Sequence, residues 1–188
     1  TGVDVDGIDV AMGGGRRHFL PKDAAFNSPD AVSDVEGDRT DGRDLTAEWQ
    51  TMYENGVYVY DQSGFDGVDT ETTERLFGLF NESHMQYEAD RGNDIAGEPS
   101  IAEMTETAIN ILDNNDEGFF LMVESGRIDH AHHAGNAYGA LHDTMAFAEA
   151  VAKADELTDD SDTLIIVTAD HGHVFTIAGY PKRGNPIL

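Results

Sequence analysis

Two apolar runs, Phe119–Val123 (FFLMV) and Thr163–Thr168 (TLIIVT), constrain this chain more than any other feature. Each is short and apolar throughout, which predicts a strand buried on both faces. Between them Ala140–Leu157 predicts a long helix, with Leu141, Met145, Ala148, Val151 and Ala152 facing inward. Apolar strands separated by a helix pair in parallel through a right-handed crossover. Ligands of such sheets bind beyond the carboxyl ends of the strands. Glu124 ends the first run, and Asp170 and His171 follow the second, so two polar clusters are expected to meet at one sheet edge.

The rest of the chain fits an α/β fold with a mostly parallel central sheet flanked by helices. Ile8–Met12 predicts a short strand, broken at Gly13-Gly14-Gly15. The triple glycine lacks the Lys-Ser/Thr of a phosphate-binding loop and reads as a tight turn. Asp4, Asp6 and Asp9 lack the spacing of a calcium loop and read as solvated surface. Residues 21–45 form a polar loop. Leu45–Asn55 predicts a helix with Leu45, Trp49 and Met52 on one face, and Val57–Tyr60 a strand. A polar surface excursion occupies residues around 61–99, with an apolar piece of undetermined type at Leu76–Phe80. Ser100 with Glu103 three residues on is a capping box, opening a helix whose apolar face is Ile101, Met104, Ala108, Ile111 and Leu112.

Charge excludes several partners. Thirty-seven acidic residues face eleven basic ones, a net charge of −26. Such a chain repels nucleic acid and anionic membranes. The apolar runs rule out general disorder. Acid excess, with lysine only at positions 22, 153 and 182, predicts a solvated acidic surface suited to high salt, which screens the self-repulsion. No cysteine is present, so a metal would be held by histidine and carboxylate. No signal peptide or membrane-spanning run is recognisable.

Five of the eight histidines lie in the two clusters. Glu124, Asp129 and His133 belong to one, Asp170 and His171 to the other. If the segment after Glu124 is helical, the i,i+4 spacing of Asp129 and His133 puts both on one face, as a chelating pair needs. Imidazole and carboxylate suit zinc, and a carboxylate-rich position suits magnesium. His173 reads as a hydrogen-bond partner that orients a ligand.

These segments, ESGRIDHAHH at 124–133 and TADHGH at 168–173, resemble the alkaline phosphatase family. DVAMGGGRRHF, SHMQYEADR, EPSIAEMTE and VFTIAGYPKRGNPIL are similar to the same family, so the resemblance covers nearly the whole chain. It implies an alkaline-phosphatase-like fold, hydrolysis of phosphate monoesters through a phosphoserine, and a centre of two zinc ions and one magnesium. Carried over by position, Glu124 is expected to bind magnesium, Asp129 and His133 the first zinc, and Asp170 and His171 the second. His173 is expected to bond Asp129, and His130 to stand near the phosphate, at a position that varies within the family.

Family members are longer. The resemblance implies that residues 1–188 are the central portion of one domain. The nucleophilic serine, a shared aspartate ligand and the phosphate-binding arginine then lie in an N-terminal part outside this chain, and the last zinc histidine beyond Leu188. No catalytic nucleophile is expected here, Ser125 included, and the chain is expected to be inactive alone. Animal members hold calcium in the excursion; Phe80, Asn81 and Glu98 fall at three of its positions, with Asn81 replacing a carboxylate. The resemblance further implies a periplasmic or extracellular setting and a homodimer. Two alternatives stay open. One is another hydrolase of the wider superfamily, such as a sulfatase or phosphodiesterase; the other is a non-catalytic acidic module that binds cations or a partner.

Overall fold

The computed structural model describes residues 7–173, 179–180 and 182–184. Asp4, Asp6 and most of VFTIAGYPKRGNPIL lie outside the described residues. Three strands, β1 (Val10–Gly13), β2 (Gly56–Val59) and β3 (Arg75–Leu79), form a parallel sheet in the order β1-β3-β2. Leu76 sits opposite both Val10 and Val57, so β3 is central. The apolar piece of undetermined type is thus the middle strand, and the polar excursion narrows to the residues after it.

Burial on both faces explains why β3 reads as a continuous apolar run. On one face Leu76 and Phe80 join Val59, Phe65 and Ile111 in the core, with Met12, Val57 and Met104 packed against it. On the other, the Phe77 ring meets Phe19, Trp49 and Tyr58 at centroid distances of 5.2, 5.4 and 5.7 Å. Gly78 is required between them, because a β-carbon there would lie 2.7 Å from the Phe80 ring.

Five α-helices surround this sheet: α1 (Leu45–Met52), α2 (Gln62–Asp66), α3 (Ile101–Leu112), α4 (Arg127–His133) and α5 (Ala137–Leu157). Asp44 caps α1 by accepting from the N–H groups of Thr46 and Ala47. Trp49 turns inward as expected, whereas Met52 is exposed. The Ser100–Glu103 capping box forms at the start of α3. The triple glycine makes its turn through Gly15, at φ +82°, and this turn delivers Arg16 into the interior.

Two expectations fail here. Neither Phe119–Val123 nor Thr163–Thr168 is paired in the sheet; both run irregularly. Their apolar side chains stand in solvent, with Phe120 90%, Met122 74%, Leu164 81% and Ile166 75% exposed. A strand is stable only where a neighbour takes its backbone hydrogen bonds, and no strand of the described residues lies beside these two.

The inward face of α5 also differs. Ala137, Gly139, Ala140, Asp143, Ala146 and Ala150 are buried, while Leu141, Met145 and Ala148 are exposed. The small residues let α5 approach α3 and α4 closely; a β-carbon at Gly139 would already lie 3.3 Å from that of Ala131. Hydrophobicity alone picked the opposite face.

Candidate metal centre

Helix α4 organises the centre. It forms as the conditional reading required, and places Asp129 one turn before His133. The Asp129 carboxylate gathers three imidazoles. His173 Nε2 lies 2.8 Å from Oδ1, His171 Nε2 3.3 Å from the same oxygen, and His133 Nε2 3.5 Å from Oδ2. Two of the three come from the segment after the second apolar run, with His173 44 residues from Asp129 in sequence. The clusters therefore meet, even though the runs that carry them are not paired.

The electrostatics follow from these contacts. The hydrogen bond from His173 holds the Asp129 carboxyl below its usual range, and the nearby His133 and His171 add to this. His171 is shifted upward, first by its bond to the Gly172 carbonyl and then by the charge of Asp170. The rings crowd one another, with His133 edge-on to His173 at 4.6 Å and His132 stacked on His173 at 5.2 Å. His132 is itself fixed by its Nδ1 contact with the Ile128 carbonyl, 2.8 Å away.

Asp129, His133 and His173 can each offer one ligand atom, all within 4.8 Å of one another. Donor atoms on a tetrahedral zinc ion stand about 3.3 Å apart, given zinc–ligand bonds near 2.0–2.1 Å. The separations from Asp129 to His171 and His133 match that edge. The 2.8 Å contact to His173 is a hydrogen-bond length, so His173 can either ligate or orient. The donor set thus fits zinc.

The remaining candidates stand apart. Asp170 is 91% exposed at its side chain and approaches only His171, at 3.9 Å. Glu124 is exposed and its carboxylate is in no ion pair among the described residues. His130 turns away from Asp129, toward His84 and Arg127. Ser125 Oγ faces the Asp143 carbonyl at 3.5 Å. In the excursion, Glu98 is buried with one carboxylate oxygen lacking a partner, and Asn81 Nδ2 reaches Asp94 at 3.4 Å. Sequence reasoning did not find Arg16 or its buried partner Glu36.

Known proteins carry the same segments. The family model for alkaline phosphatase matches residues 3–188. The tissue-nonspecific alkaline phosphatase of Rattus norvegicus is 43% identical over 98% of this chain and 36% of its own length. An alkaline phosphatase of Gadus morhua is 39% identical over 98% of the chain and 39% of its own. This chain thus spans little more than a third of these relatives. Among solved structures, the alkaline phosphatase of Thermus thermophilus superposes with a TM-score of 0.62 at 34% identity, covering 79% of this chain and 27% of that one. A mutant alkaline phosphatase from the Antarctic bacterium TAB5, solved with magnesium in its M3 site, shares the fold at a TM-score of 0.55 and 22% identity. With the whole described core and both histidine clusters inside the matched span, this chain belongs to the alkaline phosphatase family.

Proposed function

We propose that this chain carries the central metal-ligand segment of a zinc- and magnesium-dependent phosphomonoesterase, acting on small phosphate monoesters. The observation that supports this best is the Asp129 carboxylate bracketed by His133 and His171 at zinc-ligand spacing. In this reading Asp129 and His133 hold one zinc ion, Asp170 and His171 a second, and Glu124 magnesium. When bound, the metals supply activation of the attacking oxygen and neutralisation of phosphoryl charge. The residues of this chain orient that centre. His173 donates to Asp129 Oδ1 and leaves Oδ2, beside His133, as the ligand oxygen. His132 buttresses the His173 ring by stacking. With Glu124 and Asp170 standing apart and no serine in the cluster, the 188-residue chain is expected to show no phosphatase turnover alone.

Zinc titration of the metal-free chain by calorimetry tests this. The chain should bind zinc, His133→Ala should lose that binding, and His173→Ala should weaken it about tenfold to a hundredfold. Zinc binding indifferent to His133 would refute the assignment, and normal turnover of an aryl phosphate by the chain would refute the claim of inactivity.

A salt-rich, periplasmic or extracellular setting and homodimeric assembly of the parent protein accord with the family and with the charge of −26. No helix of the described residues is long and apolar enough to cross a membrane. Screening of that charge should raise the urea midpoint between 0.1 and about 2 M potassium chloride. A midpoint that falls over this range counts against the salt-adapted reading.

A further inference from the structure

Most cationic side chains of this acidic protein are paired with carboxylates, but one group of them gathers instead. Arg17, from the turn after β1, is anchored by its Nε, which donates to the Glu82 carbonyl at 2.9 Å; its Nη2 stands 3.9 Å from the Glu82 carboxylate. Arg127, at the start of α4, lies flat on Tyr87, its guanidinium carbon 3.8 Å from the ring centroid. It has no carboxylate within salt-bridge distance, and its Nε has no hydrogen-bond partner among the described residues. Its Nη1 points at His130 Nδ1 across 3.1 Å, so His130 accepts there and keeps its proton on Nε2. His84 closes the group, edge-on to His130 at 4.4 Å.

Four basic groups from three separate segments thus converge. Burial, followed by the charges of His130, Arg127 and Arg17, makes His84 harder to protonate, which places all three close to its ring. The carboxylates nearby are engaged elsewhere: Glu82 accepts from Ser33, and Asp143 accepts from the Glu88 N–H. Like charges held together by stacking and backbone bonds, in a chain of net charge −26, are stabilised by an anion among them.

We infer that Arg17, His84, Arg127 and His130 form a binding site for a tetrahedral oxyanion of the phosphate type. The site adjoins the metal centre through α4, on which His130 follows Asp129. Arginine donors and an imidazole N–H suit the several oxygens of such an anion. The anion is either free phosphate or a phosphate group carried on an organic molecule.

Calorimetry on the full 188-residue chain in EDTA and low salt tests the site separately from the metal reading. Inorganic phosphate should bind, and Arg17→Gln and His84→Gln should each weaken it about tenfold. Arg43→Gln, which removes an exposed charge elsewhere, should leave it within a factor of two. Propyl phosphate distinguishes the sources: binding equal to that of phosphate means that esters are accepted, and binding of phosphate alone means that the free ion is the ligand. Absence of phosphate binding overturns the inference, as does equal weakening by all three substitutions, which would mark a general field effect. Circular dichroism of each variant checks that the fold is retained; Arg17 and His84 are both accessible side chains.

Discussion

Replacing Arg16 by alanine should destabilise the chain by about 3–5 kcal/mol, the cost of breaking a buried ion pair from one side. Arg16 is 1% exposed. Its Nε donates to Glu36 at 2.6 Å, its Nη2 to Asp30 at 2.7 Å, and its Nη1 to the Leu79 carbonyl at 2.8 Å. Glu36, whose side chain is wholly buried, also accepts from the Ser28 N–H and hydroxyl. Arg16 therefore ties the polar loop around residues 28–36 to the end of the central strand. Alanine leaves the Glu36 carboxylate buried without its cation, and no water can replace the fixed guanidinium donors at that depth. Urea unfolding monitored by Trp49 fluorescence measures the loss. A companion variant, Arg16→Met with Glu36→Met, removes both charges and should recover much of the stability. A loss below about 1 kcal/mol in the alanine variant would mean that the loop holds without its ion pair.

Such a residue is hidden in sequence because its partners lie 14 to 63 positions away. An arginine after three glycines looks like any surface arginine. What local chemistry specifies was legible. The capping box at Ser100 and Glu103 starts α3, and the i,i+4 spacing of Asp129 and His133 survives as a shared face of α4. The runs at 119–123 and 163–168 show the opposite case. Their composition states a demand for burial between neighbours, but a strand exists only when those neighbours are beside it. α5 misled for a related reason: its alanine and glycine face is inward because close helix packing rewards small residues, while Leu141 and Met145 point outward. At the centre, residue type and spacing identified Asp129, His133 and His171. The distances among them depend on how a distant segment folds back, and this left Glu124 and Asp170 outside.

Glu98 should make stability fall as pH rises toward neutrality, and Glu98→Gln should remove that fall. The side chain is 2% exposed. One carboxylate oxygen accepts from the Gln86 N–H, and the other has no partner among the described residues. Burial pushes the carboxyl up to about 7, with Asp94 reinforcing the rise and the bonds from Gln86 and Asn81 opposing it. The folded chain then keeps a proton on Glu98 at a pH where the unfolded chain has released it. The stabilisation is complete below the ordinary carboxyl value, near 4.5, and is lost as pH rises through about 7. The full difference is roughly 3 kcal/mol, because a tenfold change in proton affinity between the folded and unfolded chain is worth about 1.4 kcal/mol. Glutamine keeps the carbonyl that accepts from Gln86 and never ionises. In EDTA, which keeps divalent cations from neutralising the carboxylate, the variant should match the parent near pH 4.5 and exceed it by roughly 2–3 kcal/mol at pH 8. Taking the difference between two proteins cancels the titration of Asp143, which burial also moves upward, and of every other shared group. A difference that stays constant from pH 4.5 to 8 would show that Glu98 is ionised in the folded chain throughout, with its unpartnered oxygen reached by solvent or by a cation.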